Sequence, residues 1–189
     1  MTEDEFLAYI LRNPNNATIL ARLPQLELTE CWLVSGALFQ TVWNLQSGLP
    51  PAHGIKDYDI FYFDADISWK AEDVAIARAR ALFADLGVAV ELRNQARVHL
   101  WYQEKFARPY PPLQKATDGI DRFLSRSAQV GVRPAGDGWD IYAPHGLDDV
   151  ATMMVRPNRT ANYREDLFQE KARRWQLSWP RVTIAPEVQ

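Results

Sequence analysis

What this 189-residue sequence holds little of narrows it first. It has a single cysteine, Cys31, so neither a disulfide framework nor a cysteine-built zinc site can be drawn from it. Cys31 beside Trp32 reads as a small buried apolar residue. Of three histidines, His53 reads as solvated in a loop and His99 as packed and hydrogen-bonded rather than as a base. Basic charge is not in excess: 21 Lys and Arg stand against 24 Asp and Glu, for a net charge of −3. That argues against a broad nucleic-acid surface and leaves room only for a local basic groove. No apolar run approaches the ~20 residues of a membrane-spanning helix. The first residues are acidic and amphipathic, without the basic start and apolar centre of a secretory leader. The expectation is a cytoplasmic protein with no membrane partner. What remains is ordinary globular material, 47% hydrophobic, with seven scattered tryptophans. The length suits one domain over residues 1–189.

The chain is organised around residues 32–66. Trp32-Leu33-Val34 has the character of a strand, and Ser35-Gly36-Ala37 is a turn of small residues. Leu38, Phe39, Val42, Trp43 and Leu45 then follow at helical spacing. After a loop with Pro50, Pro51 and Gly54 comes a second strand, residues 57–63, opened by two carboxylates. Side chains two apart in a strand share a face, so Asp57 and Asp59 project together while Tyr58 and Ile60 pack on the other side. Two ionised carboxylates so close repel unless a positive charge lies between them or water screens them. A divalent cation answers the first case, and Mg²⁺ is commonly held by one or two carboxylates plus substrate phosphates. Lys56, just before the pair, either contacts phosphate or lies exposed.

Around this stretch the pattern predicts helices over residues 3–12 and 17–23, the first opened by a Thr2/Glu5 capping box. Residues 26–30 are ambiguous. Ser68 caps a predicted helix over residues 69–86 closed by Gly87, with Val74, Ile76, Ala77, Ala81, Leu82 and Phe83 as its apolar stripe and Glu72 on a solvated face. Residues 88–92 read as a strand in which Glu91 is the one charge; a carboxylate buried there needs a partner, and the alternative is a salt-bridged or edge-exposed Glu91. Asn94 caps a predicted helix to about residue 106, with Arg93 and Arg97 either meeting phosphate charge or pairing with the acidic cluster. Pro109 to Pro112 connect this core of about residues 1–108 to a C-terminal extension over about 113–180. That extension reads as a short helix after Thr117, two strands at 129–133 and 139–142, a helix opened by Asp148 and Asp149, and a last helix over 163–175. Lys171, Arg173 and Arg174 are placed on outer faces of the last helix, and residues beyond Pro180 are expected to be loosely held. Arg133, Ser125 and Ser127 are minor candidates for nucleotide contact.

The succession of strand, glycine turn, helix, loop and a strand opening with Asp-x-Asp resembles the signature of the DNA polymerase beta-like nucleotidyltransferase superfamily. Its pattern is an apolar or small residue, Gly, then Gly or Ser at a helix start, followed by alternating Asp and apolar residues on the next strand. More narrowly, Gly36-Ala37-Leu38, Thr41-Val42-Trp43-Asn44 and Lys56-Asp57-Tyr58-Asp59 resemble a bacterial family of stand-alone nucleotidyltransferases. The resemblance implies an α+β (α/β) fold, a mixed β-sheet flanked by helices with the C-terminal extension packed on the same domain. It implies that Asp57, Asp59 and Glu91 hold Mg²⁺ (or Mn²⁺) and are the catalytic residues. It further implies that Ser35, Gly36, Ala37, Lys56, Arg93 and Arg97 contact a nucleoside triphosphate. The departure read here is Ala37, standing where Gly or Ser is usual.

The expected function is therefore metal-dependent transfer of a nucleoside monophosphate from an NTP to an unidentified hydroxyl acceptor, whether a small molecule, a protein or an RNA end. The alternatives are a non-catalytic nucleotide- or partner-binding domain of the same fold, and an interaction module whose acidic cluster is solvated.

Overall fold

The computed structural model describes residues 1–186. Helix α1 (Glu3–Ile10) opens with the expected capping box: the Thr2 side chain accepts from the Glu5 N–H, and Glu5 accepts in return from the Thr2 N–H. Helix α2 (Pro14–Arg22) starts earlier than its apolar pattern suggested. Asn13 caps it and Pro14 occupies its first turn, where a missing N–H costs nothing. A 3₁₀ turn over Leu23–Leu26 ends where the ambiguous segment begins. Strand β1 (Trp32–Val34) is wholly buried and leads into α3 (Gly36–Gln46), followed by β2 (Asp57–Tyr62) and α4 (Trp69–Leu82), capped by Ser68 as expected. A 3₁₀ turn (Ala84–Leu86) and Gly87 at φ 64° end this unit. Strand β3 (Ala89–Asn94), a 3₁₀ turn at Gln95–Arg97 capped by Asn94, and α5 (His99–Phe106) complete the first half.

The second half adds α6 (Ala116–Ile120), the hairpin β4 (Gly131–Ala135) and β5 (Gly138–Tyr142), α7 (Asp148–Ala151), β6 (Met154–Val155), α8 (Glu165–Ser178) and β7 (Thr183–Ile184). The main sheet runs β3-β2-β1-β4-β5. Only β2 and β3 are parallel; the β1–β2, β1–β4 and β4–β5 pairs are antiparallel, so the expected mixed sheet forms and the hairpin extends it. One face buries Leu33, Tyr58, Ile60, Tyr62 and Val132 in the main core with Phe39, Val42 and Trp43 of α3. Helix α8 joins that core through Phe168, Ala172, Trp175 and Trp179. On the opposite face Trp32 and Val34 pack on Ala116 and Ile120 of α6. Among the described residues no helix is long and apolar enough to cross a membrane.

Four expectations are corrected. Helix α4 turns Ala75 and Ala79 inward, small residues that let it lie close to the sheet, and leaves Val74 52% exposed. Glu72 is on the same inward face, buried and paired with Arg97, rather than solvated. Strand β3 is an edge strand of alternating exposure, so Glu91 is half-exposed rather than enclosed. The segment past Pro180 is held rather than loose: Val182 is 3% exposed and β7 pairs in parallel with β6.

Asn44, fully buried on α3, ties distant parts together. Its amide donates to the Pro51 and His53 carbonyls at 2.9 and 2.8 Å, and its oxygen accepts from the Trp179 indole N–H at 2.9 Å. Replacing Asn44 by alanine strands an indole N–H and two carbonyls, each costing about 1–3 kcal/mol when buried and unpaired. We expect Asn44→Ala to lower the unfolding free energy by roughly 3 kcal/mol in urea titration; a loss under ~0.5 kcal/mol would show that the tie is not structural.

A candidate active site

Strand register places the acidic residues. In the parallel β2–β3 pair Asp59 stands opposite Glu91, and on β2 the run Asp57, Asp59, Phe61 occupies one face. The antiparallel register with β1 sets Val34 opposite Asp59, so β1 ends and α3 begins beside the carboxylates. Together these elements wall a cleft of about 550 Å³. Ser35 and Gly36 line it from the turn, Lys56, Asp57 and Asp59 from the loop and strand, and Lys171, Arg174 and Trp175 from α8.

The electrostatics of the pair are unfavourable as they stand. Burial, then the charges of Asp57 and Glu91, push the Asp59 carboxyl up from an ordinary 3.8 to about 7, against the opposing pull of Lys171 and Arg93. Among the described residues neither aspartate accepts a hydrogen bond or forms a close ion pair. Lys171 faces them from α8; burial and its neighbour Arg174 push its ammonium pKa down, while the two aspartates pull it up. Two unpartnered carboxylates on one face are a donor set that suits a hard divalent cation. The third carboxylate is less ready: Glu91 is bound to Arg93 at 3.2 Å. Among the described residues no three acidic, histidine or cysteine side chains are gathered to hold a metal ion. The aspartate pair thus fits such an ion, and Glu91 would first have to leave Arg93.

The turn is also specific. Ser35 has φ 56° and ψ −118°, a conformation that glycine adopts readily and serine does not. It is fixed by its N–H donating to the Val130 carbonyl at 2.8 Å, while its own carbonyl accepts from the Leu38 and Phe39 N–H groups. The glycine-like backbone conformation of the turn therefore falls on a serine, one position before Gly36. Ala37 is 1% exposed, with its methyl group in the main core and not in the cleft. Its carbonyl accepts from Asn16 at 2.8 Å and Thr41 at 2.7 Å, which pins the first turn of α3. Gly36 needs its missing side chain for neither φ nor backbone packing. An added Cβ would meet only the movable Gln40 amide at 2.9 Å, so the space it leaves opens on the cleft.

Of the residues expected to contact nucleotide, Ser35, Gly36 and Lys56 line the cleft; Ala37 and Arg97 do not. Arg97 is buried against Glu72 at 3.3 Å, donates to the Ser68 carbonyl and lies over the Trp69 ring. Glu72, supplied by α4, takes the charge that phosphate was expected to meet. Arg93 flanks the cleft in its pair with Glu91. Arg133 is engaged by Asp140 at 2.7 Å, and Ser125 and Ser127 are buried beside each other. Sequence reasoning missed Lys171 and Arg174. The signal available was their spacing of three on a helix that also carries Phe168, Ala172 and Trp175, which puts basic and core residues on adjoining faces.

Comparison with known proteins agrees with this geometry. A family model described as "Nucleotidyltransferase" matches residues 21–184. No curated protein matches the chain. A solved structure described as "The NMR structure of the protein reveals a CCA-adding enzyme head domain" is similar with a TM-score of 0.78 and 24% identity, covering 98% of this chain and 97% of that one. That likeness establishes the fold.

Two outcomes follow from the site. A raised carboxyl pKa means the folded state binds the Asp59 proton more tightly than the unfolded chain. Its contribution to stability is thus fully present below the ordinary value and lost as pH rises through about 7. In chelator-containing buffer, Asp59→Asn should be more stable than wild type at about pH 8, with the difference shrinking toward pH 4; parallel pH profiles in thermal denaturation would contradict this. Ser35→Gly removes backbone strain of about 1–3 kcal/mol at some entropic cost, and should raise the urea midpoint rather than lower it.

Proposed function

We propose that this chain, which belongs to the nucleotidyltransferase family its sequence matches, transfers a nucleoside monophosphate from an NTP to a hydroxyl acceptor with help from a divalent cation, Mg²⁺ or Mn²⁺. The observation that carries the proposal is the only partly offset repulsion at Asp59: a half-buried carboxylate beside Asp57 and Glu91, in a cleft faced by Lys56, Lys171 and Arg174. Acid on one wall and base on the other suits a metal–triphosphate complex, whose cation meets the aspartates and whose phosphates meet the lysines and arginine.

In this reading Asp57 and Asp59 would hold the cation, with Glu91 as a further ligand once released from Arg93. When bound, such an ion supplies charge neutralisation at the reacting phosphate and lowers the proton affinity of the attacking hydroxyl. The chain's own groups do the rest. The first N–H groups of α3, opened by Ser35 and Gly36, face the cleft where the β and γ phosphates would lie. Lys56, Lys171 and Arg174 offset charge that builds on the leaving pyrophosphate. The acceptor oxygen forms its bond to the α-phosphorus as the bond to the β-phosphate oxygen breaks; the hydroxyl proton passes to Glu91 or to water. We place the reaction in the cytoplasm and treat residues 1–189 as one domain.

The pairing of Glu91 with Arg93 favours one second reading, a nucleotide-binding domain that does no transfer. The two separate in one assay: incubation of the protein with each α-labelled NTP, Mg²⁺ or Mn²⁺, and fractionated cell extract. Transfer should be lost by a factor on the order of 10³ in Asp57→Asn and Asp59→Asn that retain their circular dichroism. NTP binding with no labelled product in any fraction would leave only the binding reading.

A further inference from the structure

Beside the acidic cleft lies a second cavity, of about 370 Å³. Phe61 continues the face of β2 that carries Asp57 and Asp59, so this cavity lies along the strand from the carboxylates. Phe123 and Lys171 line both spaces, and Phe61 stacks on Phe123 with centroids 5.5 Å apart and planes 12° from parallel. The walls are largely aromatic: Trp101, Tyr102, Phe106 and Tyr110 close the side away from β2. The charges are of one sign. Arg93, Arg122 and Lys171 line the cavity, and among the described residues lining it there is no Asp or Glu. Asn162 and Gln95 add amide groups; the Asn162 amide donates to the Tyr102 hydroxyl at 3.2 Å and to the Arg122 carbonyl at 3.1 Å.

We propose that this cavity binds the acceptor, and that the acceptor is a small planar-ring compound, neutral or anionic, carrying the hydroxyl that is nucleotidylated. The proposal rests on the transferase reading above. Aromatic walls favour a flat ring by stacking, and Arg122 and Lys171, beside an Arg93 already paired with Glu91, disfavour cationic acceptors such as amines. A volume of about 370 Å³ between the α5 region and α8, on a chain of net charge −3, favours a small molecule over a long polyanion. Position completes the argument: a ring lodged between Phe61 and Trp101 brings a substituent hydroxyl toward Asp59 and Glu91, where the new bond to the α-phosphorus would form as pyrophosphate leaves.

The test uses the full chain and two single-ring phenols of opposite charge, 4-hydroxybenzenesulfonate and tyramine, titrated with and without a non-hydrolysable ATP analogue and Mg²⁺. The sulfonate should bind at least tenfold tighter than tyramine and without competing with the nucleotide. Trp101→Ala and Arg122→Glu should each weaken sulfonate binding tenfold or more while leaving nucleotide affinity unchanged, a split that general unfolding would not give. Competition between sulfonate and nucleotide would assign the cavity to the NTP itself and overturn the proposal. So would tighter tyramine binding, equal binding by both variants, or a short RNA displacing the sulfonate at lower concentration. Sulfonate binding as expected with no nucleotide binding by wild type would refute the transferase reading and with it the acceptor role, leaving a ring-binding cavity.

Discussion

Two carboxylates held where they repel are the constraint on which the cleft depends. Asp57 and Asp59 share a strand face because strands alternate, and β1 and β3 on either side fix that face in place. A solvated pair would relax the repulsion by moving apart. This one is prevented by the register and by burial, so the strain remains as a proton affinity raised to about 7 at Asp59. Lys171 reduces it without removing it. The fold spends stability at this point, and a cation bound there would return it.

The remainder of the structure brings counter-charge to that point. Helix α8 is anchored in the main core by Phe168, Ala172, Trp175 and Trp179, and its adjoining face delivers Lys171 and Arg174 to the cleft. Asn44 secures the end of that helix and the proline-rich loop at once, so Lys56 and Trp179 are set by one buried amide. Behind the turn, Asn16 and Thr41 hold the Ala37 carbonyl and with it the start of α3. The side-chain N–H groups of Asn16 and Asn44 and the Thr41 hydroxyl are each satisfied by a carbonyl that orients part of the cleft.

Much of this was legible in the sequence, where local rules decided the outcome. The capping residues Thr2 and Ser68, the β1–turn–α3–β2 succession and the shared face of Asp57 and Asp59 follow from spacing and side-chain chemistry alone. The sequence leaves Glu91 open between a third metal ligand and a salt-bridged or edge-exposed residue; it sits on edge strand β3 opposite Asp59 and is paired with Arg93. What escaped was decided by tertiary pairing. Nothing local tells that Arg97 will be drawn to Glu72, or that the last helix will turn its basic residues inward. The backbone of Ser35 is likewise invisible in the sequence, since a serine in a glycine conformation looks like any serine.

The division of charge along the chain bears on its synthesis. Residues 57 and 59 leave the ribosome more than a hundred positions before Lys171 and Arg174, and the whole sheet that seats the aspartates, ending with β5 at Tyr142, is made before α8. A nascent chain lacking α8 holds the acids with Lys56 but without Lys171 and Arg174, so on the proposed reading its cleft grips a triphosphate with only part of its basic wall. Competence to use nucleotide would thus arrive late in translation, with the packing of Trp175 and Trp179 against Trp43 as the event that completes it.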